Sequence, residues 1–187
     1  MGKMFQAITE SQAEFISDQK LFFVGTAAEE GSVSVSPKGM DSLRVLDAET
    51  IAWLNLTGSG NETSAHVQMN PRMTLMFCAF EGKPLILRVY GHAKVVHQND
   101  PEWQDLLPLF PNMPGARQVF ILTVERTQES CGTSIPFYDY KENRNTLVQT
   151  MDRMGKESIE NFWKTKNTES IDGFPTNIRQ LSGLNSE

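Results

Sequence analysis

Cysteine is nearly absent from this chain: Cys78 and Cys131 are the only two in 187 residues. Two thiols make no disulfide framework and fit a reducing compartment, for which the cytosol is the default. Basic clusters are missing too. The 17 Lys and Arg stand against 23 Asp and Glu, a net charge of −6. Nucleic acid and anionic membrane surfaces want a basic face, so neither is an expected partner. Long apolar runs are also lacking. No stretch approaches the roughly eighteen residues of a spanning helix, and Met1 to Gln6 has none of the apolar character of a secretory leader. Gly2 is not followed by the Ser or Thr that a myristoylation signal needs. His66, His92 and His97 show no ligand spacing among themselves or with the cysteines, so no metal site is expected. An anionic ligand would have to be held locally, by a few cations and backbone amides.

What is present is a chain able to bury its own core, at 39% hydrophobic and 21% charged. Thr9 with Gln12 fits a capping box, followed by Phe15 and Ile16 as apolar anchors of a short helix. Strand-like runs follow at Leu21–Thr26, Ser32–Ser36, Ser42–Leu46 and Ile51–Thr57, separated by turn residues. Asn61–Met69 reads as a helix stopped by Asn70-Pro71. Arg72–Phe80 and Leu85–His97 form a hairpin around Glu81-Gly82-Lys83-Pro84. A helix is expected from Asp100-Pro101, a last strand at Val119–Val124, and helical pieces near Arg144–Met154 and Ser158–Lys164. The tail from Gln180 reads as disordered. Six or seven strands joined by short turns must pair antiparallel, which predicts a mainly β barrel or sandwich with peripheral helices. The expected division is a barrel core over 1–130 and a helical and loop extension over 131–187, packed on the barrel or on a partner subunit.

Two segments carry anion chemistry. Gly58-Ser59-Gly60-Asn61-Glu62-Thr63 lies between a strand and a helix. Its glycines allow close backbone approach, and the free amides of a helix start favour a phosphate. The plainer reading is a Gly-rich turn with an Asn cap. It is no dinucleotide fingerprint, because Thr63 replaces the third glycine and the flanking strands form hairpins. Ser34-Val35-Ser36-Pro37-Lys38-Gly39 ends a strand in a proline bend and delivers one cation.

These segments, with Asn70-Pro71-Arg72, Leu87-Arg88-Val89-Tyr90-Gly91 and Ser130-Cys131-Gly132, fall in an order that resembles the pyridoxamine 5′-phosphate oxidase-related proteins. The resemblance spans roughly Thr9 to Gly173. It implies an antiparallel FMN-binding split β-barrel and a homodimer with FMN at the subunit interface. By that resemblance the strand Val33 to Lys38, with Ser34, Val35, Ser36 and Lys38 as its site residues, runs along the flavin. Leu56 and Thr57 lie on the ribityl-phosphate side, Gly58 belongs to the cofactor-binding turn, Asn61, Glu62 and Thr63 bind the phosphate, and the Cys131 loop lies near the flavin. The plainer reading of Cys131 is a small core residue. Arg72 and Arg88 are candidate helpers. The chain departs from the oxidases proper in carrying Glu62 and Thr63 where they have Arg and Lys, so Glu62 is expected to point away or pair with a base, and Lys38, Asn61, Thr63 and the backbone to hold the phosphate. Trp53 and Trp163 are candidates to stack on the ring. Arg144, Lys166, Asn167, Ser170 and Asp172 are candidates to close the site from the other subunit.

The expected function is an FMN-dependent oxidoreductase acting on a small-molecule substrate, the cofactor supplying the redox chemistry. The alternatives are a flavin-binding module without turnover and a split barrel using a deazaflavin or haem. Arg179 has no neighbouring histidine to match the substrate-phosphate grip of the vitamin B6 oxidase itself, which argues against pyridoxamine phosphate.

Overall fold

The computed structural model describes residues 2–184. One sheet of eight antiparallel strands dominates it, ordered β3-β2-β6-β7-β8-β5-β4, with β1 also on β8. The strands are β1 (Lys3–Phe5), β2 (Leu21–Thr26), β3 (Ser34–Gly39), β4 (Leu43–Asp47), β5 (Thr50–Leu56), β6 (Arg72–Cys78), β7 (Ile86–His97) and β8 (Ala116–Ser130). The helices are α1 (Glu10–Asp18), α2 (Glu62–Met69), α3 (Trp103–Leu106), α4 (Thr146–Lys166) and α5 (Ile178–Leu181). No described helix is long and apolar enough to cross a membrane.

Period-two patterning explains the barrel. In β2, buried Phe22, Val24 and Thr26 alternate with half-buried neighbours, and the same alternation runs through β6 and most of β7. These strands thus turn one face inward, whereas central β5 is buried on both faces. The inward faces of β2, β5, β6, β7 and β8 share one cluster that includes Phe22, Trp53, Leu75, Phe77, Leu87, Phe120 and Leu122. Trp53 stacks on Phe120 with ring centroids 4.5 Å apart. The sheet bends where β7 and β8 slip register between Tyr90 and Gly91. There the Gly91 Cα faces the Thr123 carbonyl so closely that a Cβ would collide with it.

Several expectations need correction. The strand carrying Pro37 does not bend away at the proline. It continues to Gly39, with Pro37 opposite Phe23 and Lys38 opposite Phe22. β3 ends the sheet, and an edge strand tolerates a residue that cannot donate. The helix expected from Asp100 begins only at Trp103, because the Asp100 carboxylate is spent accepting from the His97 amide at 2.7 Å. β1 was not anticipated, and β8 runs well past Val119–Val124 at both ends. The tail from Gln180 is not unstructured: Gln180 lies in α5, and Leu184 is buried. The rest of that tail, 185–187, lies outside the described residues.

α1 starts with the capping box anticipated at Thr9 and Gln12. The two helical pieces of the C-terminal segment are the halves of α4, separated at Gly155, whose φ of 70° and ψ of 167° leave the helix. Met151, Ile159 and Trp163 of α4 join Ile178 and Leu184 in a cluster of their own. The extension meets the barrel where Trp163 Nε1 donates to Thr57 Oγ1 at 2.8 Å.

Candidate functional site

A cavity of about 350 Å³ opens between β3, the end of β5 and the start of α2. Its walls include Ser36, Pro37 and Lys38 from β3, Asn55 and Leu56 from β5, the turn Gly58–Thr63, and Arg117 from β8. The turn that leaves β5 thus folds back onto the edge strand. Antiparallel pairing of β5 with β8 places Arg117 behind it.

The electrostatics of this cavity set it apart. Arg117 is 2% exposed, and its Nε–H has no partner. Its Nη1 donates to the Gly60 carbonyl at 3.1 Å and to Asn167 Oδ1 at 2.6 Å. Burial pulls its guanidinium well below the usual arginine range, to about 9, still cationic at neutral pH. Lys38 Nζ lies 3.4 Å from Asn55 Oδ1 and 5.4 Å from the centre of the Trp53 ring. Burial, helped by the nearby Arg117 charge, lowers its pKa from 10.5 to about 8. Among the described residues neither cation forms an ion pair with a carboxylate. A desolvated cation is costly without a counter-charge, so the pair calls for an anion.

A buried polar chain supports Lys38. Asn55 Nδ2 donates to Gln118 Oε1 at 3.1 Å, and Gln118 Nε2 donates to Ser64 Oγ at 3.0 Å while lying 3.1 Å from His97 Nε2. Burial pushes His97 down to about 4 against the upward pull of Asp100, with Arg117 adding to the depression. His97 is therefore neutral at physiological pH.

Of the residues singled out from the sequence, Ser36, Lys38, Leu56, Gly58, Asn61, Glu62 and Thr63 line this cavity. Ser34 and Val35 sit further along β3, Val35 being 65% exposed. Thr57 faces elsewhere, its hydroxyl donating to the Gly115 carbonyl and accepting from Trp163. Arg88 and Cys131 are not brought to the cavity: Arg88 Nη1 reaches Ser130 Oγ at 3.4 Å, and Cys131 is exposed beside Thr133. Arg72 lines a different hollow with Tyr90 and Arg126. Trp53 and Trp163 are buried packing residues. Among the described residues no group of three or more His, Cys, Asp or Glu side chains is placed to hold a metal ion.

Residues 8–131 match the family model Pyridoxamine 5′-phosphate oxidase. The chain belongs to this family. It is 31% identical over 193 aligned positions, 94% of this chain and 78% of the relative, to the pyridoxamine 5′-phosphate oxidase family protein ustO of Aspergillus flavus. Its fold is that of HupZ from Group A Streptococcus, with TM-score 0.56 at 22% identity over 66% of this chain and 99% of that one. A candidate pyridoxamine 5′-phosphate oxidase of Lactobacillus delbrueckii gives TM-score 0.53 at 23% identity, over 66% of this chain and 94% of that one. The antiparallel split barrel is thus the family's fold.

Within the family frame one residue of this member, Arg117, was missed by sequence reasoning. Arg117 stands in Ala116-Arg-Gln-Val-Phe-Ile-Leu, a charge at the head of an apolar strand, which was the available signal. Asn167 belongs to the polar C-terminal group expected to come from another subunit; instead it reaches the cradle within its own chain. Glu62 has its carboxylate engaged by the Ile171 amide, at 3.1 and 3.0 Å to its two oxygens.

Proposed function

We propose that this family member is an FMN-binding flavoprotein and acts as an oxidoreductase on a small-molecule substrate. The observation that carries this reading is the pair of desolvated cations, the buried Arg117 and the half-buried Lys38, facing a glycine-rich turn with no carboxylate partner. The donor set fits a phosphate monoester: an ammonium, a guanidinium with a free Nε–H, the Ser36 and Thr63 hydroxyls, and the backbone of Gly58–Asn61. Asn61 Oδ1, buried and without a donor, suits a ribityl hydroxyl.

In this reading Lys38 and Arg117 neutralise the phosphate, and Thr63 with the turn amides fixes its orientation. Ser34 and Ser36 line the strand edge that the flavin would follow, and Leu56 covers its chain. When bound, FMN supplies reversible two-electron chemistry with a small-molecule donor. Val33 and Val35, 72% and 65% exposed on the edge segment, support a homodimer in which a second subunit covers this strand. Arg88 and Cys131, remote from the cavity in one chain, would then act only across that interface. The family includes a vitamin B6 oxidase by name, but Arg179 is spent on the Lys164 carbonyl, so the substrate class is left at small molecule.

The test is spectroscopic. FMN added to purified protein is expected to bind with quenched flavin fluorescence and to be reduced by NADH, NADPH or a substrate donor. No binding of FMN overturns the reading; binding without any reduction leaves a flavin-binding module in place of an enzyme.

A further inference from the structure

The segment 167–176 lies outside the residues 8–131 that match the family model, yet it closes the cradle from behind. Asn167 is fully buried. Its Oδ1 accepts from Arg117 Nη1 at 2.6 Å, while its Nδ2 donates to the carbonyls of Gly58 at 3.1 Å and Ser59 at 3.5 Å. Its own carbonyl accepts from Asn61 Nδ2 at 3.3 Å and from Thr176 Oγ1 at 2.6 Å. One residue thus touches the buried cation and three positions of the glycine-rich turn. The segment is pinned further out, where Glu62 holds the Ile171 amide and Asp172 accepts from the Ser32 amide and hydroxyl at 2.8 and 3.0 Å.

We infer that Asn167 is a positioning residue for the phosphate of the cofactor, orienting Arg117 and the turn while leaving the Arg117 charge free to meet an anion. The inference rests on the flavin reading above. Its chemistry follows from what other side chains would do there. A carboxylate would also hold Arg117, but as an ion pair it would cancel the charge the phosphate needs and would face the Gly58 and Ser59 carbonyls without a donor. An apolar side chain would leave Arg117 Nη1 with only Gly60 and strip the turn of its buried donor. A neutral amide supplies one acceptor and two donors without charge. The tether comes from the segment that Glu62 anchors, which gives a use to an acidic residue in a position where the oxidases proper are basic.

FMN and riboflavin differ only in the phosphate, so their ratio isolates this role. Both are titrated into the wild type, Asn167→Ala and Asn167→Asp by flavin fluorescence, with thermal melting as the check on folding. The wild type is expected to prefer FMN. Asn167→Ala should lose about tenfold in FMN affinity while riboflavin changes by less than about twofold. Asn167→Asp, nearly isosteric and able to keep the fold should the alanine variant not, should lose the FMN preference at least as fully. Equal loss of both flavins would show a general structural role and overturn the inference. Variants that discriminate as well as the wild type, or a wild type that binds both flavins equally, overturn the inference alone, whereas a wild type that binds neither flavin overturns the flavin reading and the inference with it.

Discussion

Replacing Lys38 with methionine should stabilise the unliganded protein and cripple its binding of FMN. Methionine fills much of the same space without a charge. The lysine pKa falls from 10.5 to about 8 in the folded chain, which at about 1.4 kcal/mol per pH unit is roughly 3 kcal/mol against the folded state. The Trp53 ring, 5.4 Å from the ammonium, returns about 1 kcal/mol by cation–π attraction. The net is about 2 kcal/mol in favour of the variant at pH 7. For a chain of 187 residues this is a rise of about 6 °C in Tm. The sign has a pH window. Below about pH 8 folded and unfolded chains both hold the Lys38 proton, and the full cost applies. Between about 8 and 10.5 the unfolded chain keeps a proton that the folded chain has released, so wild-type stability rises with pH. The gap between the two proteins should therefore narrow towards pH 10.5. Thermal melting of both apoproteins at pH 7 and 10 measures it. A variant that melts at or below the wild type at pH 7, or a gap that stays constant, refutes the idea of a cation held at a cost for a ligand.

The wild-type affinity for FMN should fall by about tenfold per pH unit between about 8 and 9, where binding must first return a proton to Lys38, and more steeply above about 9, where Arg117 has released its proton too; a flat profile in fluorescence titrations between pH 7 and 10 contradicts it. His97, held at about 4 against 6.5 in the unfolded chain, makes stability fall as pH drops from 6.5 towards 4, by about 3 kcal/mol in all. His97→Gln should flatten that part of the urea-unfolding profile, and an unchanged acid limb would show that His97 does not contribute. Gly91→Ala, which drives a Cβ into the Thr123 carbonyl at the sheet bend, should cost about 3 kcal/mol or more, read as a drop of the denaturation midpoint; a loss below about 1 kcal/mol would mean that the bend relaxes freely.

The strand content was legible because the barrel is built from alternation, and alternation survives in a single sequence. Phe22 and Val24 inward against Phe23 and Gly25 is a local fact before it is a tertiary one. The cradle was half legible for the same reason. Lys38 and Asn61–Thr63 are marked by glycine, proline and a helix start, all local signals. Arg117 was not, because its meaning depends on a partner fifty-seven positions away, the Gly60 carbonyl, and on burial that only the closed sheet creates. Arg88 and Cys131 show the converse. A family pattern can place a residue in a site that two chains would share, and within one chain neither side chain reaches the cavity. Pro37 misled for a third reason: proline reads as a bend unless its strand is known to be an edge, and edge position belongs to the sheet as a whole.

The charge balance of the protein bears on how such a cradle must work. At −6 overall, the long-range field repels a phosphate dianion, so attraction has to come from contacts inside the cavity. Arg117 is buried and Lys38 half-buried, so counter-ions reach them less readily than they reach exposed side chains. Added salt therefore screens the distant repulsion, whose range shrinks from about 30 Å at 0.01 M to about 8 Å at 0.15 M, more than it weakens the contacts. A surface-charge grip behaves in the opposite way, losing affinity steeply as salt displaces the ligand. FMN affinity measured from 10 to 300 mM sodium chloride should accordingly stay level or rise slightly, by no more than about threefold. A fall of about tenfold over that range would place the phosphate on exposed basic side chains and take it out of the Lys38–Arg117 cavity.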